Sequence, residues 1–177
     1  MKAIIITIII INISIYQKAN AVCEAFITNE WPNYRYTVED ISGDKIVTDN
    51  KTGLMWKQCS EGLSGSDCMT GTTTAYRWDQ ALAIPDTLNL TGFAGFSDWR
   101  VPNIEELQSI AAHNCFLPAI NETAFPNTPF EPSGEFWSSS PFAVSTYFAW
   151  YYNFGYGRSS YNTRFGVYYV RLVRSGQ

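Results

Sequence analysis

The chain has 177 residues, enough for one domain with short extensions. Hydrophobic residues make up 46% and charged residues 16%, against roughly 25% charged in an average soluble protein, so a packed core is available and disorder is excluded. A formal net charge of −4 and a pI near 4.9 argue against nucleic-acid binding, and a single histidine, His113, removes every scheme that needs two.

Lys2 precedes an uncharged, Ile-rich run over residues 3–16, followed by Gln17, Lys18 and the small-x-small triplet Ala19-Asn20-Ala21. That order predicts a secretory signal over 1–21 and one mature domain over 22–177. The apolar run falls short of the roughly 20 residues of a spanning helix, so no transmembrane span is expected in the mature chain. An uncleaved anchor and lipidation of Cys23 are the competing readings; Val22 stands where lipidation wants a small residue. Loss of Lys2 and Lys18 leaves 10 basic against 16 acidic residues, a net −6. The mature chain is expected to be exported: periplasmic, cell-surface or secreted.

Cys23, Cys59, Cys68 and Cys115 all lie in the mature part, and an even number in an exported chain suggests disulfides. Three pairings are open. The Gly/Ser-rich stretch 60–67 can close on itself, which favours Cys59–Cys68 and leaves Cys23–Cys115. Zinc fails on spacing, with no C-x-x-C and one imidazole.

In chain order, residues 45–56 read as a hairpin turning on Asp49-Asn50-Lys51-Thr52-Gly53. Thr74 is placed to cap a first helix carrying Ala75, Trp78, Ala81 and Leu82 on one face, with Pro85 kinking or ending it. A second helix is signalled by Asn103 with Glu106 three residues on, a capping box, and by the stripe Ile104, Leu107, Ile110, Ala111. Residues 117–135 hold four prolines and read as a long ordered loop. Residues 148–154 alternate as a strand, a polar loop follows over 158–164, and 167–174 reads as an internal strand, apolar on both faces apart from Arg171 and Arg174. The sum is a single α+β unit.

Catalytic patterns are missing from the sequence. Glu105 and Glu106 are adjacent on a helix and point about 100° apart, so they cannot flank one bond. Ser138-Ser139-Ser140 has no G-x-S-x-G frame, and there is no Walker or G-x-G-x-x-G loop. His113 reads as a polar surface residue. Asp40, Asp44 and Asp49 do not match an EF-hand, so neither a metal nor a cofactor is expected.

One stretch carries a recognisable pattern. Residues 92–107, Gly-Phe-Ala-Gly-Phe-Ser-Asp-Trp-Arg-Val-Pro-Asn-Ile-Glu-Glu-Leu, resemble the GysDWRLPnieEL core of a bacterial family typified by the C-terminal domain of the Legionella collagen-like adhesin. Matches in the family's order run through residues 48–56, the Cys59…Cys68 loop, Trp78 with Ala81-Leu82, residues 136–140, 147–150 and 169–174. The resemblance implies a C-type-lectin-like α+β fold, two helices on twisted antiparallel strands and rich in loops. It extends distantly to formylglycine-generating and sulfatase-modifying enzymes. Those enzymes resemble one another in an active-site Cys pair near the C-terminus, and residues 116–177 here contain none. Calcium lectins of this fold carry a Glu-Pro-Asn or Gln-Pro-Asp loop plus a Trp-Asn-Asp triplet; this chain has Glu131-Pro132-Ser133 and no Trp-Asn-Asp.

The family resemblance therefore implies an exported, non-enzymatic binding module, adhesin-like or receptor-like. Its ligand would be a glycan or a protein on a cell or envelope surface. Carried onto this chain, the ligand-binding residues are Tyr147, Trp150, Tyr152, Asn153, Tyr156, Arg158, Tyr161, Asn162 and Arg164. Trp150 and Tyr152 also read as the core of a half-buried strand. A sulfated polymer would require Arg158, Arg164, Arg171 and Arg174 to cluster while the acids face elsewhere. A structural subunit of an envelope complex and an enzyme of unrecognised chemistry are the alternatives.

Overall fold

The computed structural model describes residues 21–130 and 134–176. The signal reading, apart from Ala21, and the Glu131-Pro132-Ser133 triplet lie outside the described residues. The elements are β1 (Val22–Cys23), a 3-10 turn (Asn33–Arg35), β2 (Tyr36–Ile41), β3 (Asp44–Asp49), β4 (Leu54–Lys57), β5 (Leu63–Ser64), β6 (Thr70–Gly71), α1 (Trp78–Thr91), α2 (Ile104–Ser109), β7 (Cys115–Phe116), β8 (Glu135–Pro141), β9 (Phe148–Asn153), β10 (Arg158–Thr163) and β11 (Val173–Ser175). Two antiparallel sheets dominate, one in the order β11-β4-β3-β2 and one in the order β10-β9-β8. This is the α+β, loop-rich architecture expected.

The predicted hairpin is present, with Val47 opposite Trp56 and Thr48 opposite Met55. Its turn closes on a Gly53 N–H bond to the Asp49 carbonyl, 2.8 Å, with Gly53 at φ +71°, a conformation glycine takes without strain. The Asp49 carboxylate accepts from Lys51 N (3.0 Å), Thr52 Oγ1 (2.8 Å) and both arms of buried Arg35 (2.8 and 2.6 Å). Burial alone would raise the Asp49 carboxyl; the Arg35 fork and the turn donors outweigh it and hold it below the usual range.

Alternation along the strands divides the interior in two. Neighbours Ile46 and Val47, Phe136 and Trp137, and Leu172 and Val173 point to opposite cores, as the two-residue period requires. One core holds Tyr36, Trp56, Leu107, Phe125, Phe136, Tyr152 and Phe154; the other holds Trp99, Trp137, Ala149 and Val170. Each large apolar side chain removed from water contributes about 1.5–3 kcal/mol.

The C-terminal run differs from the single internal strand expected. Only Val173–Ser175 forms a strand, although residues 170–174 are buried. Tyr168 exchanges bonds with Tyr76, Tyr169 bonds Glu135 and Trp137, Val170 and Leu172 accept from Glu61 and Lys57, and Val173 exchanges with Arg100. The segment passes between the two sheets and changes partner every residue or two. That explains a sequence apolar on both faces. Arg171 goes inward with it, fully buried, donating to the carbonyls of Lys57 (3.2 Å) and Gln58 and to Ser60 Oγ (3.2 Å) and Thr128 Oγ1 (2.8 Å). Burial pushes its guanidinium down to about 9.

The helices correct one expectation and meet another. α1 begins at Trp78, not after Thr74, and Ala75 is exposed outside it. Thr74 Oγ1 donates to Thr72 O (3.4 Å), and the extended Tyr76–Tyr168 bridge forbids helical backbone there. Pro85 does not end α1, which continues to Thr91. Its distal turn is held from outside: Asn89 Nδ2 donates to Trp99 O (2.9 Å) and Asn89 Oδ1 accepts from Trp99 N (3.0 Å). α2 has the predicted capping box, with Glu106 N donating to Asn103 Oδ1 (2.7 Å) and Asn103 N to Glu106 Oε2 (2.8 Å). Both expected disulfides, Cys23–Cys115 and Cys59–Cys68, are formed.

Candidate functional site

The residues of the 92–107 motif hold the scaffold together. Asp98 takes the Arg174 guanidinium at 2.7 and 3.2 Å, and the Arg174 bonds hold its carboxyl low. Trp99 is buried with Nε1 on Phe93 O (3.0 Å), and Arg100 grips Glu106 at 2.7 and 2.5 Å. Each polar member of Asp-Trp-Arg-x-Pro-Asn-x-x-Glu is engaged inside the fold, so the motif specifies architecture.

The binding candidates lie on the β9–β10 hairpin and around its open end. Arg164 follows β10 and extends its ladder, N to Tyr147 O at 2.9 Å, while its own carbonyl accepts from Trp78 N (3.1 Å), the first residue of α1. Its guanidinium lies 4.1 Å over the Trp78 indole, a cation–π contact, and Nε donates to Phe148 O (3.3 Å). The start of α1 is thereby docked on the hairpin end. Between them lies a groove of about 230 Å³ lined by Arg77, Asp79, Thr146, Tyr147, Arg164 and Phe165. Tyr147 is 71% exposed and Phe165 73% exposed.

Charge is distributed in a way the total conceals. Arg35, Lys45, Lys51, Lys57, Arg100 and Arg174 each pair with a carboxylate. Arg171 is core. Among the described residues that leaves Arg77, Arg158 and Arg164 with no carboxylate within ion-pair distance, and two of these three line the groove. The four-arginine cluster that a sulfated polymer would require is not formed, because Arg171 and Arg174 are spent inside the fold. Arg77 and Arg164 stand together instead.

The remaining candidates fall into separate places. Trp150 and Tyr161 are register partners at mid-hairpin; Tyr161, 47% exposed, stacks on Phe142 (4.0 Å between centroids, 18°) and meets Trp150 and Phe148 edge-on. Asn162 is on the other face and donates to the Tyr168 hydroxyl. Tyr156 and Arg158 (5.5 Å, guanidinium over ring) sit at the far end of β10, about 20 Å from Arg164 by strand rise. Tyr152 is 1% exposed and Asn153 4%; they lie beneath the surface and present no face to a ligand. Burial pushes the Tyr152 phenol up, and Asn153 donates to Glu135 Oε1 (2.9 Å) and accepts from Tyr156 N (3.0 Å).

Sequence reasoning missed Arg77, Asp79, Thr146 and Phe165. Arg77 is brought to the groove only by the Trp78–Arg164 bond. Phe165, next to a candidate arginine in a polar loop, was the one readable signal. His113 is exposed, as expected, and sits edge-on to Trp31 at 5.1 Å. Among the described residues no cluster of three or more His, Cys, Asp or Glu is placed to hold a metal, and no helix is long and apolar enough to cross a membrane.

A search of curated proteins finds no match. The model of the Lcl C-terminal domain family matches residues 45–174, which includes the hairpin, the Asp-Trp-Arg segment, α2, the β10-β9-β8 sheet and the groove, while β2 of the other sheet lies before it. By that match the chain belongs to the Lcl C-terminal domain family, an adhesin-associated module.

Proposed function

We propose that this domain is a non-enzymatic, exported binding module that holds a surface glycan in the groove between the start of α1 and the β9–β10 hairpin. The observation that carries the reading is the pair of exposed aromatic faces, Tyr147 and Phe165, bordering two guanidinium groups, Arg77 and Arg164, that no carboxylate among the described residues pairs with. Aromatic faces stack on sugar rings, and guanidinium forks take hydroxyls and acidic substituents. Both disulfides fit an oxidising compartment. The non-catalytic reading is supported by where the carboxyls with lowered pKa lie: Asp49, Asp98 and Glu106 owe their shifts to ion pairs within the scaffold, and Asp40 to its own β-turn and Lys45.

The test is a glycan-array screen of the oxidised protein, including acidic and sulfated polysaccharides, beside a Tyr147→Ala/Phe165→Ala variant. Binding that falls at least tenfold in the folded variant supports the groove. Equal binding by both proteins places the ligand elsewhere, and no binding to any glycan removes the glycan reading in favour of a protein ligand or an assembly role.

A further inference from the structure

The two main sheets have four outer edges, and three are covered or guarded. β11 is bridged on its outer side, Val173 to Arg100, and β8 is bridged through Phe136 to Tyr169. β2 is open but carries exposed Glu39 and Asp40, the charged protection natural edge strands use. β10 is the exception. It runs six residues in unbroken register with β9, and it contains no lysine, no proline and no bulge.

The direction of its free groups follows from the register. Arg164 N donates to Tyr147 O, so that pair belongs to the hydrogen-bonded class, and the same class recurs at every second position: Asn162 with Ala149, Ser160 with Tyr151, Arg158 with Asn153. The peptide groups of Ser159, Tyr161 and Thr163 therefore point away from the sheet. Thr163 is satisfied locally, its N–H on Asn162 Oδ1 (2.7 Å) and its carbonyl on Gly166 N (2.9 Å). Ser159 and Tyr161 have no such partners among the described residues. They present a donor and an acceptor each, two residues apart, at the spacing one added strand requires. Arg158 stands at one end of this edge and Arg164 just past the other, neither with a carboxylate partner among the described residues.

We propose that the outer edge of β10 is a docking strand for an extended segment of a protein partner, paired through Ser159 and Tyr161 and flanked by acidic residues facing Arg158 and Arg164. The edge is a surface separate from the glycan groove, although Arg164 borders both. The probe is an acetylated, amidated peptide of alternating Val and Thr closed at each end by Glu, titrated against the full oxidised chain. Two further versions carry N-methyl groups on alternate residues, one in each phase. Strand addition predicts that one phase weakens binding at least tenfold and the other leaves it within about twofold. Lys in place of Glu should also weaken binding, more so at low salt.

Ser159→Pro removes an outward N–H without touching the ladder to β9, so it should abolish peptide binding while the thermal midpoint stays near that of the parent. Should that variant fail to fold, the comparison of N-methyl phases on the parent protein decides alone. Tyr147→Ala/Phe165→Ala should leave peptide binding unchanged, which separates this proposal from the groove. Equal binding of both N-methyl phases, no binding of the Glu-flanked peptide at millimolar concentration, or dimerisation of the chain through β10 itself would each overturn it.

Discussion

Asp49→Asn removes a charge and almost nothing else from the β3–β4 turn. The amide keeps the shape and one acceptor for the Lys51 N–H or Thr52 hydroxyl, but leaves Arg35 buried without its counter-charge. The side chains in this pair are only 5% and 0% exposed, so water cannot make up the loss. Breaking one partner of a buried pair costs about 3–5 kcal/mol. Arg35 keeps two bonds to carbonyls, Ser109 O at 2.9 Å and Glu30 O at 3.2 Å, which argues for the lower half of that range. About 3–4 kcal/mol corresponds to roughly 6–16 °C in a domain of this size. Because the folded Asp49 carboxyl titrates below its unfolded value near 3.9, its contribution is complete above about pH 5 and is lost as pH falls through the folded value. The stability gap between parent and variant, measured by urea unfolding at several pH values, should be constant at neutral pH and narrow below about pH 4. A gap under about 1 kcal/mol at pH 7, or one that does not narrow on acidification, would refute this treatment of the turn.

Other outcomes follow from the same contacts. Arg171→Met strands the carbonyls of Lys57 and Gln58 and the hydroxyls of Ser60 and Thr128 in the core, and chemical denaturation should show a loss of at least about 3 kcal/mol. Glu106→Gln weakens the capping box and a partly exposed pair with Arg100, so about 1 kcal/mol is expected, seen as a thermal shift of a few degrees. By loop closure, Cys59–Cys68 with its separation of 9 is worth about 2.7 kcal/mol and Cys23–Cys115 with its separation of 92 about 4.6. Paired Cys→Ser variants compared by urea unfolding should preserve that order.

Local chemistry was legible in the sequence and long-range chemistry was not. The β3–β4 hairpin, the Asn103–Glu106 box and the Cys59–Cys68 loop are decided within a dozen residues, and each reads correctly. Thr74 misled because the competing bridge comes from Tyr168, more than ninety positions away. Pro85 misled because the compensating bonds belong to Trp99. The 167–174 run was rightly read as apolar on both faces, but alternation cannot say whether a segment pairs in one sheet or threads between two. The arginines show the same limit. Net charge could not reveal that Arg171 is core and that Asp98 claims Arg174, nor that Arg77 joins Arg164 across the α1 contact. The family motif was visible because scaffold residues recur in order, whereas the groove is assembled by tertiary contacts from three separate segments.

The most direct measurement is amide and indole shift mapping by NMR, with isotope-labelled oxidised protein titrated with the best-binding glycan of the array. Ligand in the groove predicts that the largest shifts fall on Arg77, Asp79, Thr146, Tyr147, Arg164 and Phe165 and on the Trp78 indole beneath Arg164. Shifts that saturate on residues remote from these, with the groove resonances unmoved, would contradict it.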